Sequence, residues 1–271
     1  VREEFYMLKY WEPRVPFYYI GWNMDTKFFG DRLVRLAMTH LIDREMIIKH
    51  LLRGNAQITT GPFYIKGEEY NPDIEPWGHD VDRAVELLEQ AGWVDSDGDG
   101  ILDKDGVKFS FRFMYTVSSD FYGKLVKHLK DSCSEVGIEL RADPYEWSVL
   151  IGKLNDRDFE ATVMGWGNEM VKDPYQIWHS SQIGNRGSNY VGFASERVDE
   201  LIELSRRTLD RDERNGIYHE IHEILHQEQP YTFLFSRPML RILDRRFENV
   251  EIYKKGIHWH EWYVPKAKQK Y

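Results

Sequence analysis

The alternation of strand-like and helix-like segments most constrains how this chain can fold. Phe109, Phe111, Phe113 and Tyr115 alternate with polar residues, which predicts a half-buried strand. Helical and extended patterns follow in turn as far as residue 227. Because strands alternating with helices pack as a sheet between helical layers, the sequence predicts an α/β fold. The predicted strands are 17–24, 109–115, 138–145 and 159–166, and the predicted helices are 30–41, 43–52, 80–91, 119–136, 147–154, 196–209 and 212–227.

Capping residues support these helix ends. Gly92 and Gly137 stand where C-terminal caps belong, and Asp210 with Glu213 makes a capping box. The last segment, 233–264, has no helical period and is expected to form strands and turns that cross to another layer or lobe.

Composition narrows the class of protein. A chain of 271 residues that is 42% apolar can bury one large or two modest cores. Its net charge of −9 repels phosphate backbones, so no nucleic-acid partner is expected. No stretch approaches the ~20 apolar residues that span a bilayer. Cys133, the only cysteine, excludes an internal disulfide and is expected to pack in the core.

Residues 222–226, His-Glu-Ile-Leu-His, match the zinc-protease signature HExxH on a predicted helix. Helical spacing predicts that the histidines face solvent, whereas a protease needs its ligands in a cleft. Pro230 ends the helix, and Gln229 and Thr232 replace the Gly and His of the longer motif. An adventitious surface metal site is the favoured interpretation. The predicted buried face is Ile217, Ile221, Ile224 and Leu225, and the predicted solvent-facing histidines are His219, His222 and His226.

A second motif resembles the first half of a calcium-binding EF-hand loop. Asp95, Asp97 and Asp99 occupy positions 1, 3 and 5, and Gly100 occupies position 6. Position 12 is Gly106 and not the bidentate Glu that closes such sites. No cofactor is required by this pattern; calcium at residues 95–100 is one interpretation, and an Asp- and Gly-rich turn is the favoured one. Further calcium ligands would come from Asp103, Asp105 or backbone carbonyls.

The predicted strand 159–166 ends in Gly165-Trp166 and is followed by a polar loop and Asp173-Pro174. Open α/β sheets bind ligands outside the carboxyl ends of their strands. The indole therefore stands where a ligand could bind. For a tryptophan considered alone, a buried side chain that plugs the end of the sheet is the favoured interpretation. No nucleophile elbow or P-loop accompanies it, so the sequence predicts no enzymatic activity.

Several ordered motifs resemble the family-5 extracytoplasmic solute-binding proteins of ABC importers, the dipeptide, oligopeptide and nickel-binding group. The resemblance covers most of the chain, and no single motif carries it. The matching segments are 29–35 with 41–44 and Gly61-Pro62, 84–93 with Asp97-Gly98-Asp99-Gly100, 158–166 with Asp173-Pro174, and Arg214, Tyr218 and Pro230.

The resemblance implies a periplasmic-binding-protein-like (type II) lobe, with a mixed central sheet flanked by helices, from a two-lobed protein. Residues 1–27 would cross from the first lobe, 28–245 would form the ligand-binding lobe, and 246–271 would return. The sequence begins with Val1 and shows neither an initiator Met nor a charged-then-apolar signal segment. Either a leader has been removed or the chain is a piece of a longer protein. Because the resemblance includes no first lobe, we expect the second.

The resemblance also implies ligand-binding residues. In peptide binders of the family, an acidic residue three positions after the Gly-Trp tryptophan pairs with the ligand's α-ammonium. That position is Glu169, where the family usually has Asp, and one extra residue precedes Asp173-Pro174. Trp166 and Trp147 fall where aromatic side chains line the family's pocket, and Asn168 is a further candidate.

The function implied is capture of peptides or peptide-like solutes for a membrane ABC permease. Such a protein is expected to be a monomer, periplasmic or extracellular, with a lipoprotein anchor as one option. Two alternatives remain open: a ligand-sensing domain of a regulator, and a zinc-dependent hydrolase that uses residues 222–226.

Overall fold

The computed structural model of the protein describes residues 3–167, 173–184 and 187–270. The predicted elements form close to the predicted places. The strands are β1 (Phe5–Tyr10), β2 (Phe17–Trp22), β3 (Gln57–Ile58), β4 (Asp103–Lys104), β5 (Val107–Lys108), β6 (Ser110–Thr116), β7 (Glu139–Tyr145), β8 (Ala161–Trp166), β9 (Tyr231–Ser236), β10 (Met239–Asp244), β11 (Ile252–Tyr253) and β12 (Gly256–Ile257). The α-helices are α1 (Arg32–His40), α2 (Arg44–Met46), α3 (Val81–Gln90), α4 (Asp120–Glu135), α5 (Trp147–Asn155), α6 (Tyr175–Trp178), α7 (Glu196–Arg207) and α8 (Arg211–Glu228).

Side-chain caps fix several helix starts where the sequence predicts them. The carboxylates of Asp31, Asp80 and Asp210 accept hydrogen bonds from backbone N–H groups in the first turns of α1, α3 and α8. Helix α2 continues into a π-helical turn over Ile47–Leu51, and Gly54 follows with a φ of 71°. No helix within the described residues is long and apolar enough to cross a membrane.

A six-stranded mixed sheet in the order β3-β9-β2-β8-β6-β7 organises the fold. Strand β2 is antiparallel to both of its neighbours, β9 and β8, whereas β6 is parallel to both β7 and β8. The fold class predicted from the sequence, a mixed sheet flanked by helices, is confirmed.

Two apolar clusters cover the two faces of the sheet, and alternate residues of β2 contribute to each. Ile20 and Trp22 face the cluster built with α1, α3 and α4, where Cys133 is buried as predicted. Phe17 and Tyr19 face the cluster built with α5, α7 and α8. The central strands β2 and β9 are thus buried on both faces, so the ends of the strands remain for ligands.

Strands β1 and β10 pair with each other in a separate two-stranded sheet, Phe5 opposite Asp244 and Tyr10 opposite Met239. Strand β1 leads into the start of β2, and β10 follows the end of β9. These two points are adjacent in the six-stranded sheet, since Phe17 lies opposite Ser236. Strand β2, within the range 1–27, lies inside that sheet. The proposed domain boundaries at 27 and 245 stay a prediction.

Candidate ligand-binding site

Five strands of the sheet begin or end on the same side, which is called the edge below. The last residue of β8, Trp166, lies opposite Phe17 at the start of β2, and Phe17 also lies opposite Ser236 at the end of β9. Because β6, β7 and β8 are parallel, Thr116 and Tyr145 end at the same edge. The position predicted for a ligand site, at the carboxyl ends of the parallel strands, is therefore where Trp166 lies.

The half-buried indole of Trp166 is held by two tyrosines. Its Nε1–H donates a hydrogen bond to the Tyr231 hydroxyl at 3.3 Å. Its ring lies nearly parallel to that of Tyr190, with the ring centroids 6.1 Å apart and an interplanar angle of 10°. The indole thus has a fixed orientation, and it is neither a free surface group nor a fully buried plug.

Below Trp166 the aromatic contacts continue into the core. Tyr231 stacks on Tyr19 with the ring centroids 3.8 Å apart, and Trp178 packs on Tyr231 at 4.6 Å. Burial raises the pKa of Tyr231 to about 12 and raises that of Tyr19 well above its usual value. Both hydroxyls are therefore neutral at physiological pH and serve as hydrogen-bonding groups.

Gly165 lets the strand end approach its neighbour. A Cβ on Gly165 would lie 3.2 Å from the Tyr18 ring and 3.4 Å from the Phe17 carbonyl oxygen. A larger residue would press on β2, so the Gly-Trp pair combines close strand packing with an indole at the edge.

Trp147 begins α5 directly after β7 and is 51% exposed. Strand β6 separates β7 from β8, so the end of β7, which precedes Trp147, and the end of β8 at Trp166 lie about two strand spacings, ~10 Å, apart. Within the described part of the chain, no ring contact joins them. The structure brings the two predicted tryptophans to one edge but not together.

Asn168 and Glu169, the other predicted ligand-binding residues, lie outside the described residues. Just beyond them, Asp173 accepts a hydrogen bond from the Tyr175 backbone N–H at 3.1 Å and pairs with Arg206 at 3.3 Å. Asp173 thus hydrogen-bonds the first residue of α6 and forms an ion pair at the surface.

The carboxylates of Asp95, Asp97 and Asp99 converge, with one oxygen of each within 4.8 Å of the other two. Asp95 accepts hydrogen bonds from two glycine N–H groups of the loop at 2.8 and 2.9 Å. The Lys108 ammonium lies 2.7 Å from Asp97 and 2.5 Å from Asp99, and its hydrogen bond lowers the pKa of Asp99. Lys108 supplies positive charge at the point where a calcium ion would bind. Calcium at this loop stays a prediction.

The prediction that the helical histidines face solvent is wrong for two of them. His222 is 0% exposed and His226 is 4% exposed, because the loop that precedes α3 covers this flank of α8. His222 Nδ1 accepts a hydrogen bond from the Asn71 N–H at 3.2 Å, so Nε2 carries the proton and donates to Thr60 Oγ1 at 2.9 Å.

With both ring nitrogens of His222 engaged, the imidazole has no lone pair left for a metal. The His226 ring stacks on Trp77 with centroids 5.3 Å apart and an interplanar angle of 3°. Among the residues that the structure describes, His222 and His226 belong to no cluster of converging metal ligands. Both the surface metal site and the zinc hydrolase at 222–226 lack a structural basis.

Sequence reasoning missed the tyrosines that position Trp166. Tyr19 and Tyr231 lie in strands whose pairing depends on sheet order, which no local pattern encodes. Tyr190 lies in an irregular segment between α6 and α7, where periodicity gives no signal. The one local signal is that successive side chains of a strand point to opposite faces, which places Tyr19 on the same face of β2 as Phe17.

Residues 2–188 match the family model described as Bacterial extracellular solute-binding proteins, family 5 Middle. The chain belongs to this family. Its resemblance, first seen in ordered motifs, is thus confirmed over more than half of the sequence.

Two curated relatives illustrate the range within the family. The oligopeptide-binding protein AppA of Bacillus subtilis is 36% identical over 221 residues, covering 80% of this chain and 40% of the relative. The dipeptide-binding protein of Escherichia coli is 23% identical over 250 residues, covering 90% of this chain and 44% of the relative. The chain spans less than half the length of these relatives.

Solved structures of family members have the same fold. AppA of Bacillus subtilis, in complex with a nonapeptide, superposes with a TM-score of 0.87 at 31% identity, covering 97% of this chain and 53% of that one. NikZ of Campylobacter jejuni, in complex with Ni(L-His), superposes with a TM-score of 0.81 at 22% identity, covering 96% and 54%. The second likeness concerns the fold alone. The lobe is that of a type II periplasmic binding protein.

Proposed function

We propose that this chain is the ligand-gripping lobe of a non-catalytic solute-binding component of an ABC importer. The captured solute would be a peptide or peptide-like molecule, delivered to a membrane permease. The observation that carries this proposal is the oriented indole of Trp166 at the sheet edge where β1 and β10 connect. A second lobe that closes over this edge would enclose the indole and exclude water.

The similarity to AppA supports peptide as the solute class, since AppA is an oligopeptide-binding protein and the most similar of the relatives described above. An aromatic edge binds peptide side chains through burial of apolar area. We propose that Trp166 and Trp147 line the pocket at two points along the edge. Asn168 and Glu169 would supply an amide and a carboxylate, the latter for the α-ammonium of the peptide.

The β1-β10 ribbon carries the chain into and out of the six-stranded sheet, and its strand β1 lies within the range 1–27 that the sequence assigns to a crossing segment. We propose that it forms the connection to a first lobe. The family description is of extracellular proteins, and we propose a periplasmic or extracellular monomer, with a lipoprotein anchor as one means of attachment.

Native mass spectrometry of the full-length protein, followed by calorimetry with dipeptides, nonapeptides, sugars and metal chelates, tests this proposal. We expect a co-purified mass that corresponds to a peptide, and heat of binding with peptides only. Binding of a sugar or chelate in place of peptides would overturn the solute class. Absence of binding across all panels would overturn the function itself.

A further inference from the structure

Two histidines and a glutamate converge near the end of the chain, outside the site described above. One ligand atom from each of His258, His260 and Glu261 lies within 4.8 Å of the other two. We propose that these three side chains bind a divalent transition-metal ion, Zn²⁺ or Ni²⁺. The site is independent of the proposed peptide function.

The local backbone brings the three ligands together. Residues Trp259–Glu261 form a single 3₁₀ turn, in which the Glu261 N–H donates to the His258 carbonyl at 3.2 Å. Residues three apart eclipse each other in such a turn, so His258 and Glu261 lie on one side. The ring of His260 lies against that of His258, with centroids 5.4 Å apart and an interplanar angle of 76°.

Two neighbouring residues, Tyr253 and Asn249, contact the proposed metal ligands and orient them. The Tyr253 hydroxyl donates a short hydrogen bond to Glu261 Oε2, and the Tyr253 ring packs edge-on against His258 at 5.1 Å. The Asn249 amide donates to the Glu261 carbonyl at 3.0 Å. Hydrogen-bonded partners of this kind orient the ligands of metal sites and raise their affinity. Glu261 Oε1 is left for the metal.

The donor set suits zinc and nickel. Two imidazoles and one carboxylate are a common zinc set, with bonds of about 2.0–2.2 Å that place tetrahedral ligands about 3.4 Å apart. The spacing in the structure is within reach of this value, because His260 is exposed and its ring can rotate. Unlike those of His222, the ring nitrogens of His258 and His260 form no hydrogen bond with any described residue.

A different cluster provides the contrast. Asp95, Asp97 and Asp99 also converge, but Lys108 already pairs with two of them. They offer only oxygen, which hard cations prefer, whereas imidazole favours zinc, nickel and copper. The two clusters should therefore select different ions.

The location suggests what the metal would do. The β11-β12 hairpin, Ile252–Ile257, leads into the 3₁₀ turn, and Arg14 donates to the Lys255 carbonyl at 3.4 Å. Gly256 lies so close to the Glu12 carboxylate that a Cβ there would collide with it. The hairpin thus rests on the segment between β1 and β2. A bound metal would crosslink the turn beside this connection and stabilise it.

Calorimetric titration of the metal-free full-length protein with ZnCl₂ and with NiCl₂ tests the site. We expect one ion to bind per chain and the unfolding temperature to rise. His258→Ala and His260→Ala should each weaken binding by about tenfold or more, and Tyr253→Phe by a smaller factor. His50→Ala, at an exposed histidine elsewhere, and Asp97→Asn are the controls and should leave binding unchanged.

Three outcomes would overturn the proposal: no heat with either metal, equal affinity in wild type and the two histidine variants, or loss of binding in Asp97→Asn. Circular dichroism of each variant verifies that its fold is intact. Because His260 is exposed, its replacement should leave the metal-free unfolding temperature unchanged.

Discussion

The imidazole of His222 occupies the space that a side chain on Gly61 would need. A Cβ at position 61 would lie 2.2 Å from the Cδ2 atom of the buried ring. The same ring hydrogen-bonds Thr60 and Asn71. His222 is therefore one of the residues that fasten helix α8 to the loop that precedes α3, and the missing side chain of Gly61 leaves room for its ring.

Gly61→Ala should destabilise the fold by about 1–3 kcal/mol, since the packed ring must move to admit a methyl group. Gly216→Ala is the matched control, because Gly216 lies in α8 with no atom within 4 Å of its added Cβ. That control should stabilise by roughly 0.5–1 kcal/mol through helix propensity. Urea unfolding of both variants measures the two effects, and equal signs would contradict the packing argument.

Stability should fall as the pH drops below about 6.5, the ordinary pKa of histidine. Burial lowers the pKa of His222 to about 3 and that of His226 to about 4. Between these values and about 6.5 the unfolded chain binds more protons than the folded one, so acid favours unfolding. Each histidine would then cost about 2 kcal/mol between pH 7 and pH 5.

Thermal unfolding at a series of pH values measures this loss. His222→Gln keeps hydrogen-bonding groups at the site but does not titrate, so it should flatten the acid limb relative to wild type. If the variant and wild-type profiles stay parallel from pH 7 to pH 5, His222 is not the source of the acid sensitivity.

The sequence predicted the long helices, four strands of the central sheet and several helix caps, but not the short elements β3, β4, β5 and α6. Asp31, Asp80 and Asp210 mark helix starts through a contact that spans only two or three residues. The site was only half predictable. Gly165-Trp166 marks a strand end, but its partner Tyr231 comes from a strand paired through β2.

The error at His222 and His226 has a related cause. Helical periodicity predicts one apolar face for α8, on the assumption that the other face meets solvent. Here the loop that carries Thr60 and Trp77 covers a second flank of the helix. Polar residues there are buried by a distant segment, which the pattern within one helix does not reveal.

Lys108 should compete with calcium for the Asp95–Gly100 loop. Its ammonium forms ion pairs with the carboxylates of Asp97 and Asp99, which are candidate calcium ligands. Because methionine has no charge, the Lys108→Met variant should bind Ca²⁺ more tightly than wild type does. Titration with CaCl₂, followed by the unfolding temperature, compares them. Lys104→Met, at a lysine bonded to the Ala91 carbonyl, is the control. Equal calcium affinity in wild type and Lys108→Met would show that the lysine does not compete.

Trp166 should contribute more to peptide binding than Trp147 does. Trp166→Ala removes an indole held by Tyr231 and Tyr190, whereas Trp147 is half-exposed and has no aromatic partner among the described residues. We expect Trp166→Ala to weaken peptide affinity in the full-length protein by about tenfold or more, since an oriented aromatic contact contributes about 0.5–1.5 kcal/mol beyond the area it buries. Trp147→Ala should weaken it less.

Tyr231→Phe separates orientation from contact at the same site. It removes the hydroxyl that accepts the indole hydrogen bond at 3.3 Å but leaves the ring stacked on Tyr19. We expect an intermediate loss of affinity, because the indole would keep its contact area and lose its fixed orientation. Trp259→Ala, at a tryptophan that is 75% exposed in the 3₁₀ turn, should leave peptide affinity unchanged. Calorimetry with one peptide across all four variants ranks them. An affinity in Trp166→Ala equal to that in Trp259→Ala would mean that the edge at Trp166 does not contact the ligand.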